Sequence, residues 1–189
     1  MNHLFANQVK ERKLTTATQK LKNTAQFSTC RKYRYALWRI WDEAKPYVMF
    51  VCLNPSTADE QQDDPTVTRC IHYANRWGYG GVCMTNLFAY RATQPEIMES
   101  QEDPVGKDND QWLVQLAREA GIVVAAWGNH GGHLQRSKQV VSLLPDLYYL
   151  KLNKSGEPAH PLYLSAQLTP LKWHREECDD FSIKGQTVF

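Results

Sequence analysis

The stretch from Tyr47 to Arg69, YVMFVCLNPSTADEQQDDPTVTR, constrains the fold more than any other. It begins as an apolar run rich in β-branched and aromatic residues and stops abruptly at Asn54-Pro55-Ser56. A buried strand that ends in a turn has this signature. Polar residues follow as far as Asp64-Pro65, which reads as a helix N-cap followed by a proline in the first helical position. Val67, Cys70, Ile71, Ala74 and Trp77 then recur at helical spacing, and Gly78, Gly80 and Gly81 close the helix.

The pattern repeats. A second strand, Val82 to Tyr90, carries the polar Asn86 inside an apolar run, and a helix from about Lys107 to Ala120 follows. A third strand, Ile122 to Gly128, gives way to Asn129-His130-Gly131-Gly132. A helix from about Leu134 to Leu144 leads to a fourth strand, Leu147 to Leu152. Strands alternating with helices predict an α/β fold, a three-layer α/β/α arrangement around a mostly parallel four-stranded sheet. Ahead of it, RYALWRIWD from Arg34 has strand composition. The turn Glu43-Ala44-Lys45-Pro46 predicts that it forms an antiparallel hairpin with the central strand, as an N-terminal edge. Residues 1–30, with a short helix from Gln8 to Lys22, read as a basic arm without an apolar face, and residues 31–189 as a single domain.

Composition excludes several classes. No apolar run approaches the ~20 residues of a membrane helix, and the N-terminus lacks the apolar centre of a secretory signal, so a cytoplasmic protein is expected. Cys30, Cys52, Cys70, Cys83 and Cys178 are odd in number and form no CxxC pair, which reads as buried free thiols. The net charge of +2 is unevenly spread. Residues 1–45 hold ten Lys and Arg against three acids, leaving twelve against seventeen in the remainder. A basic arm of this kind neutralises phosphates, or else is a solvated tail.

No GxGxxG, GxxxxGK[ST], HExxH or GxSxG is present. The candidates for chemistry are the polar residues at the strand breaks, because ligands of open α/β sheets bind at the carboxyl ends of the strands. They are Asn54 with Ser56 and Thr57, Asn86 with Arg91, Asn129 with His130, and His160 beyond the fourth strand. Each has a plainer reading. Asn54-Pro55 also makes a turn, Asn86 is satisfied equally by a structural hydrogen bond, and a lone loop histidine is commonly just surface. Asp59, Glu60, Asp63 and Asp64 form an acidic loop able to hold a divalent cation, or a helix cap with solvated neighbours.

Taken together, LNPSTAD, DPTVTR, TNLFAYRAT, AWGNHG and HPLYL resemble the signature of a bacterial and phage family, domain-of-unknown-function family 1643. The resemblance covers roughly Arg34 to Trp173. The order of elements more distantly resembles the uracil-DNA glycosylase superfamily, and this implies its fold. On that resemblance Asn54-Pro55 corresponds to the water-positioning motif, Asn86 to the base-reading Asn, Trp127-Gly128 to the end of the third strand, and His160-Pro161 to the closing loop. The implied activity is base N-glycosidase action on DNA or a nucleotide, with Asn54 holding the water and His160 stabilising the leaving group. Pro55, Ser56, Thr57, Asn86, Phe88, Arg91, Asn129 and His130 would line the substrate, with Phe88 or Tyr90 stacking on the base, although strand aromatics more often belong to the core. No cofactor and no metal is required. Leu53 stands where those enzymes have a small glycine, and Leu162-Tyr163 replaces the small residues after His-Pro. These departures point to another base, a modified base, or a binding module that keeps the fold without the reaction. A third reading is a metal-dependent hydrolase using Asp59, Asp63 and Asp64.

Overall fold

The computed structural model describes residues 22–144 and 146–173. Its centre is β3 (Tyr47–Cys52), in which every residue after Tyr47 is buried. Alternate side chains serve opposite faces of the sheet. Val48, Phe50 and Cys52 pack with Val67, Cys70, Tyr73 and Ala74 of α1 (Pro65–Arg76). Met49 and Val51 pack with Leu113 and Leu116 of α3 (Asn109–Glu119) and with Val140 of α4 (Arg136–Leu143). The expected N-cap is present, since the Asp64 side chain accepts from the Val67 N–H at 2.9 Å and Pro65 follows it.

Parallel partners flank β3: β4 (Gly81–Asn86) on one side and β5 (Ile122–Ala125) on the other, with β6 (Leu147–Tyr149) beyond β5. The expected four-stranded sheet with one antiparallel edge is in fact a seven-stranded mixed sheet, ordered β1-β2-β4-β3-β5-β6-β7. The additional strands are β1 (Lys22–Phe27), β2 (Arg34–Ile40) and β7 (Leu171–Lys172), all antiparallel to their neighbours. A short helix, α2 (Pro95–Glu99), interrupts the long loop after β4.

Two expectations need correction. The stretch from Arg34 makes no hairpin with the central strand, because β4 lies between them, and β2 pairs with β4 and with β1. Glycines expected to end a helix make that pairing possible. A side chain at Gly80 would come within 2.0 Å of the Asp42 carbonyl oxygen, and one at Gly81 within 2.4 Å of Ile40 Cδ1. The Gly80 carbonyl accepts from the N–H groups of both Trp41 and Asp42, at 2.9 Å each. The end of the segment expected as a loose arm is also ordered, since Lys22–Phe27 is an edge strand with two exposed residues at its start. The remainder of that arm, including most of the expected helix from Gln8 to Lys22, lies outside the described residues, as does Cys178. Cys52, Cys70 and Cys83 are buried free thiols as expected, whereas Cys30 is exposed. Among the described residues no helix is long and apolar enough to cross a membrane.

Gly80→Ala is expected to destabilise the fold by ~1–3 kcal/mol, because the added methyl meets main chain rather than a flexible side chain. Urea denaturation checks this, and an unchanged midpoint would show that the turn at Asp42 yields freely.

Candidate functional site

The chain reverses its winding direction at β3, passing first to β4 and later to β5 on the other side. Such a switch point opens a crevice at the carboxyl ends of the strands. A cavity of about 640 Å³ lies there, with Asn54, Asn86, Trp127 and His160 all on its lining.

The first wall is held by a ladder that outlasts the strands. Leu87 and Phe88 N–H groups donate to the carbonyls of Cys52 and Leu53 at 2.9 and 3.0 Å, and Ala92 N–H donates to Pro55 at 2.9 Å. Asn54 locks the same junction from its side chain. Its Nδ2 donates to the Ala92 carbonyl at 2.7 Å and to the Pro55 carbonyl at 3.1 Å. Its Oδ1 has no hydrogen-bond partner among the described residues, so this side chain offers the cavity an acceptor rather than a donor.

Asn86 ends β4 and is 1% exposed. In the amide orientation that satisfies it, Nδ2 donates to the main-chain carbonyls of Thr85 at 3.2 Å and Asn54 at 3.3 Å. The strand end behind it is pinned by Asn109, whose Nδ2 donates to the Asn86 and Leu87 carbonyls at 3.0 Å each. Arg136 Nε adds a bond to the Leu87 carbonyl at 2.9 Å.

The far wall comes from Trp127 and the segment around His160. Gly131 lets the turn after β5 close onto the indole, since a Cβ there would sit 2.2 Å from Trp127 Cδ1. Trp127 Nε1 donates to Glu157 at 2.6 Å, and Ser137 Oγ donates to the other oxygen of that carboxylate at 2.8 Å. The Gly128 N–H donates to the Pro158 carbonyl at 2.8 Å, which brings His160 alongside. His160 Nδ1 is buried without a partner among the described residues. Burial pushes the imidazole below its usual value of 6.5, with Asp64 opposing, so the ring is neutral near pH 7.

Other expected site residues divide. Ser56, Asn129 and His130 reach the cavity lining. Asn129 Oδ1 is already engaged by Asn153 Nδ2 and Ser155 Oγ at 2.8 Å each, and His130 Nδ1 sits 2.9 Å from Glu99. Pro55, Thr57, Phe88 and Arg91 are not on the lining. Phe88 is fully buried in the core against His133, so it cannot stack on a ligand. The Arg91 guanidinium lies 5.0 Å from the Phe27 ring. The acidic loop is also not assembled for a cation. Asp59 caps the Gln61 and Gln62 N–H groups, Glu60 pairs with Arg31, Asp63 with Arg39 at 2.8 Å, and Asp64 caps α1. Among the described residues no group of three metal-binding side chains comes together.

Sequence reasoning passed over Arg34, Lys151 and Glu157. Arg34 is 3% exposed, lies on the cavity lining, and donates from Nη1 to the Ala58 carbonyl at 2.7 Å. Burial lowers its pKa to about 10, with Asp64 pulling it back up, so it remains charged at neutral pH. The signal was a charged residue opening an otherwise apolar strand, RYALW.

A family model described as a protein of unknown function, DUF1643, matches residues 34–162. No curated protein and no solved structure matches the chain.

An NMR titration of His160 is expected to give a value below 6.5 in the folded protein. Between 6.5 and the lower folded-state value the unfolded chain binds the proton more readily than the folded one, so His160 makes stability fall as pH is lowered through that window. His160→Gln removes this dependence, and a folded-state value at or above 6.5 would contradict the burial argument.

Proposed function

Since the chain belongs to the DUF1643 family, whose description carries no activity, function rests on the site itself. We propose that this protein is a nucleobase N-glycosidase of the uracil-DNA glycosylase fold, acting on DNA or a nucleotide and on a base other than uracil. The observation that carries the reading is that Asn54, Asn86 and His160, from three separate elements, line one cavity. Supporting it are the parallel core ordered β4-β3-β5-β6 and the packing of α1 on one face with α3 and α4 on the other.

The reaction requires a positioned water, a donor for the departing base and a pocket that holds the base. Asn54 Oδ1 accepts a hydrogen bond from the water and turns its oxygen toward the anomeric carbon. The new C–O bond forms as the C–N bond breaks, the electron pair of the broken bond leaves with the base, and the proton given up by the water ends on that base. Neutral His160 donates to the base as negative charge develops, which a neutral imidazole does without adding a second charge to a buried site. Asn86, whose Nδ2 is held by the Thr85 and Asn54 carbonyls, reads the base edge through its Oδ1 as an acceptor. Leu53 narrows the approach to the sugar, and this favours a base other than uracil.

A second reading, a binding module of the same fold, is favoured by the full engagement of the Asn54 amide N–H groups in holding the loop. The two separate on one assay. Mass spectrometry of the protein incubated with DNA and with nucleotides is expected to detect a released base. Asn54→Ala and His160→Ala are expected to lower release by about 100-fold each. Tight binding with no release by the wild-type protein would establish the module instead.

A further inference from the structure

Three arginines are buried among the described residues, and they are not alike. Arg39 has a carboxylate partner, Asp63, at 2.8 Å, and Arg136 has Asp110. Arg34 forms no ion pair among the described residues. Its side chain makes one hydrogen bond, to the Ala58 carbonyl, and its Nε is buried with no acceptor. A buried charge left in this condition is strongly destabilising unless something else supplies the counter-charge. Arg34 is also the one buried arginine on the cavity lining, where Lys151 adds a second cation. Asp64 shares the lining, but its Oδ1 already accepts from the Val67 N–H.

We propose that the cavity takes a free nucleoside monophosphate whose phosphate seats against Arg34, opposite the surfaces that hold the base; this rests on the base-binding reading above. A guanidinium fork matches phosphate oxygens in geometry and charge, and Arg34 reaches the cavity lining with no carboxylate in ion-pair contact among the described residues. The cavity, at about 640 Å³, has room for base, sugar and phosphate together. A polymer presents its phosphates along the mouth of a pocket, to side chains that face solvent. Arg34, on the lining but 3% exposed, is not such a side chain.

The test is calorimetric titration of the full chain with inorganic phosphate, with the common nucleosides, with their 5′-monophosphates, and with a single-stranded oligonucleotide. A monophosphate is expected to bind about tenfold or more tighter than its nucleoside, with inorganic phosphate competing. Arg34→Met is expected to erase that advantage and Arg34→Lys to keep part of it, read in each variant as the ratio of monophosphate to nucleoside affinity, because loss of the grip on the Ala58 carbonyl weakens both ligands together. Retained nucleoside binding also reports that the variants are folded. Should Arg34→Met fail to fold, the wild-type comparison of nucleoside with monophosphate decides alone. Equal wild-type affinity for the two would overturn the phosphate site and leave the base-binding reading standing. Binding of inorganic phosphate by a protein that ignores every nucleoside and monophosphate would overturn the nucleotide as its source, and the base-binding reading with it. Tighter binding of a single-stranded oligonucleotide than of any monophosphate would overturn the free nucleotide alone.

Discussion

The loop between Asn54 and Asp64 has no regular secondary structure, and it is held by two buried guanidiniums reaching from β2. Arg34 takes the Ala58 carbonyl. Arg39 takes the Asp59 carbonyl at 2.6 Å and the Asp63 carboxylate at 2.8 Å. Hydrogen bonds to charged groups contribute on the order of 1.5–3 kcal/mol each, enough to fix a polar loop that buries little apolar surface. Everything on this side of the cavity depends on that grip, because the same loop ends in the cap of α1 and begins with Asn54. The position of β2 follows too. It lies beyond β4, on the flank of the sheet from which its arginines reach back to the loop.

Burial acts on two cavity side chains with different results. It moves His160 and Arg34 both toward their neutral forms, yet the imidazole starts near neutrality and the guanidinium far above it. One becomes an uncharged donor and the other stays a cation. Asp64 opposes the shift at both, and the two groups stay electrostatically distinct because their ordinary values lie so far apart.

Much of this was legible in the chain because local rules governed it. The run ending at Asn54-Pro55, the Asp64 cap and the helical spacing through Trp77 needed nothing beyond their own neighbours. Asn86 stood out as an amide in an apolar run, and its strand end does reach the cavity. Arg34 carried the same kind of signal and was overlooked, because a cation opening a strand reads as an exposed edge until a distant loop is seen to cover it. The pairing of β2 was hidden because β4, which separates it from β3, comes forty residues later in the chain. The acidic loop invited a metal reading for a related reason. The arginines that occupy it lie twenty or more residues upstream, where no spacing rule connects them.

Glu157 receives Trp127 from the end of β5 and Ser137 from α4 on its two oxygens, so one carboxylate rivets three chain segments together. The wall bearing His160 and the wall bearing the indole therefore form a single stiff half of the mouth. The opposite side of the mouth is built differently, from a loop without regular secondary structure that Arg34 and Arg39 hold by hydrogen bonds. One side of the opening is thus tied by a carboxylate and the other by guanidiniums, so opposite charges do the same structural task on its two flanks.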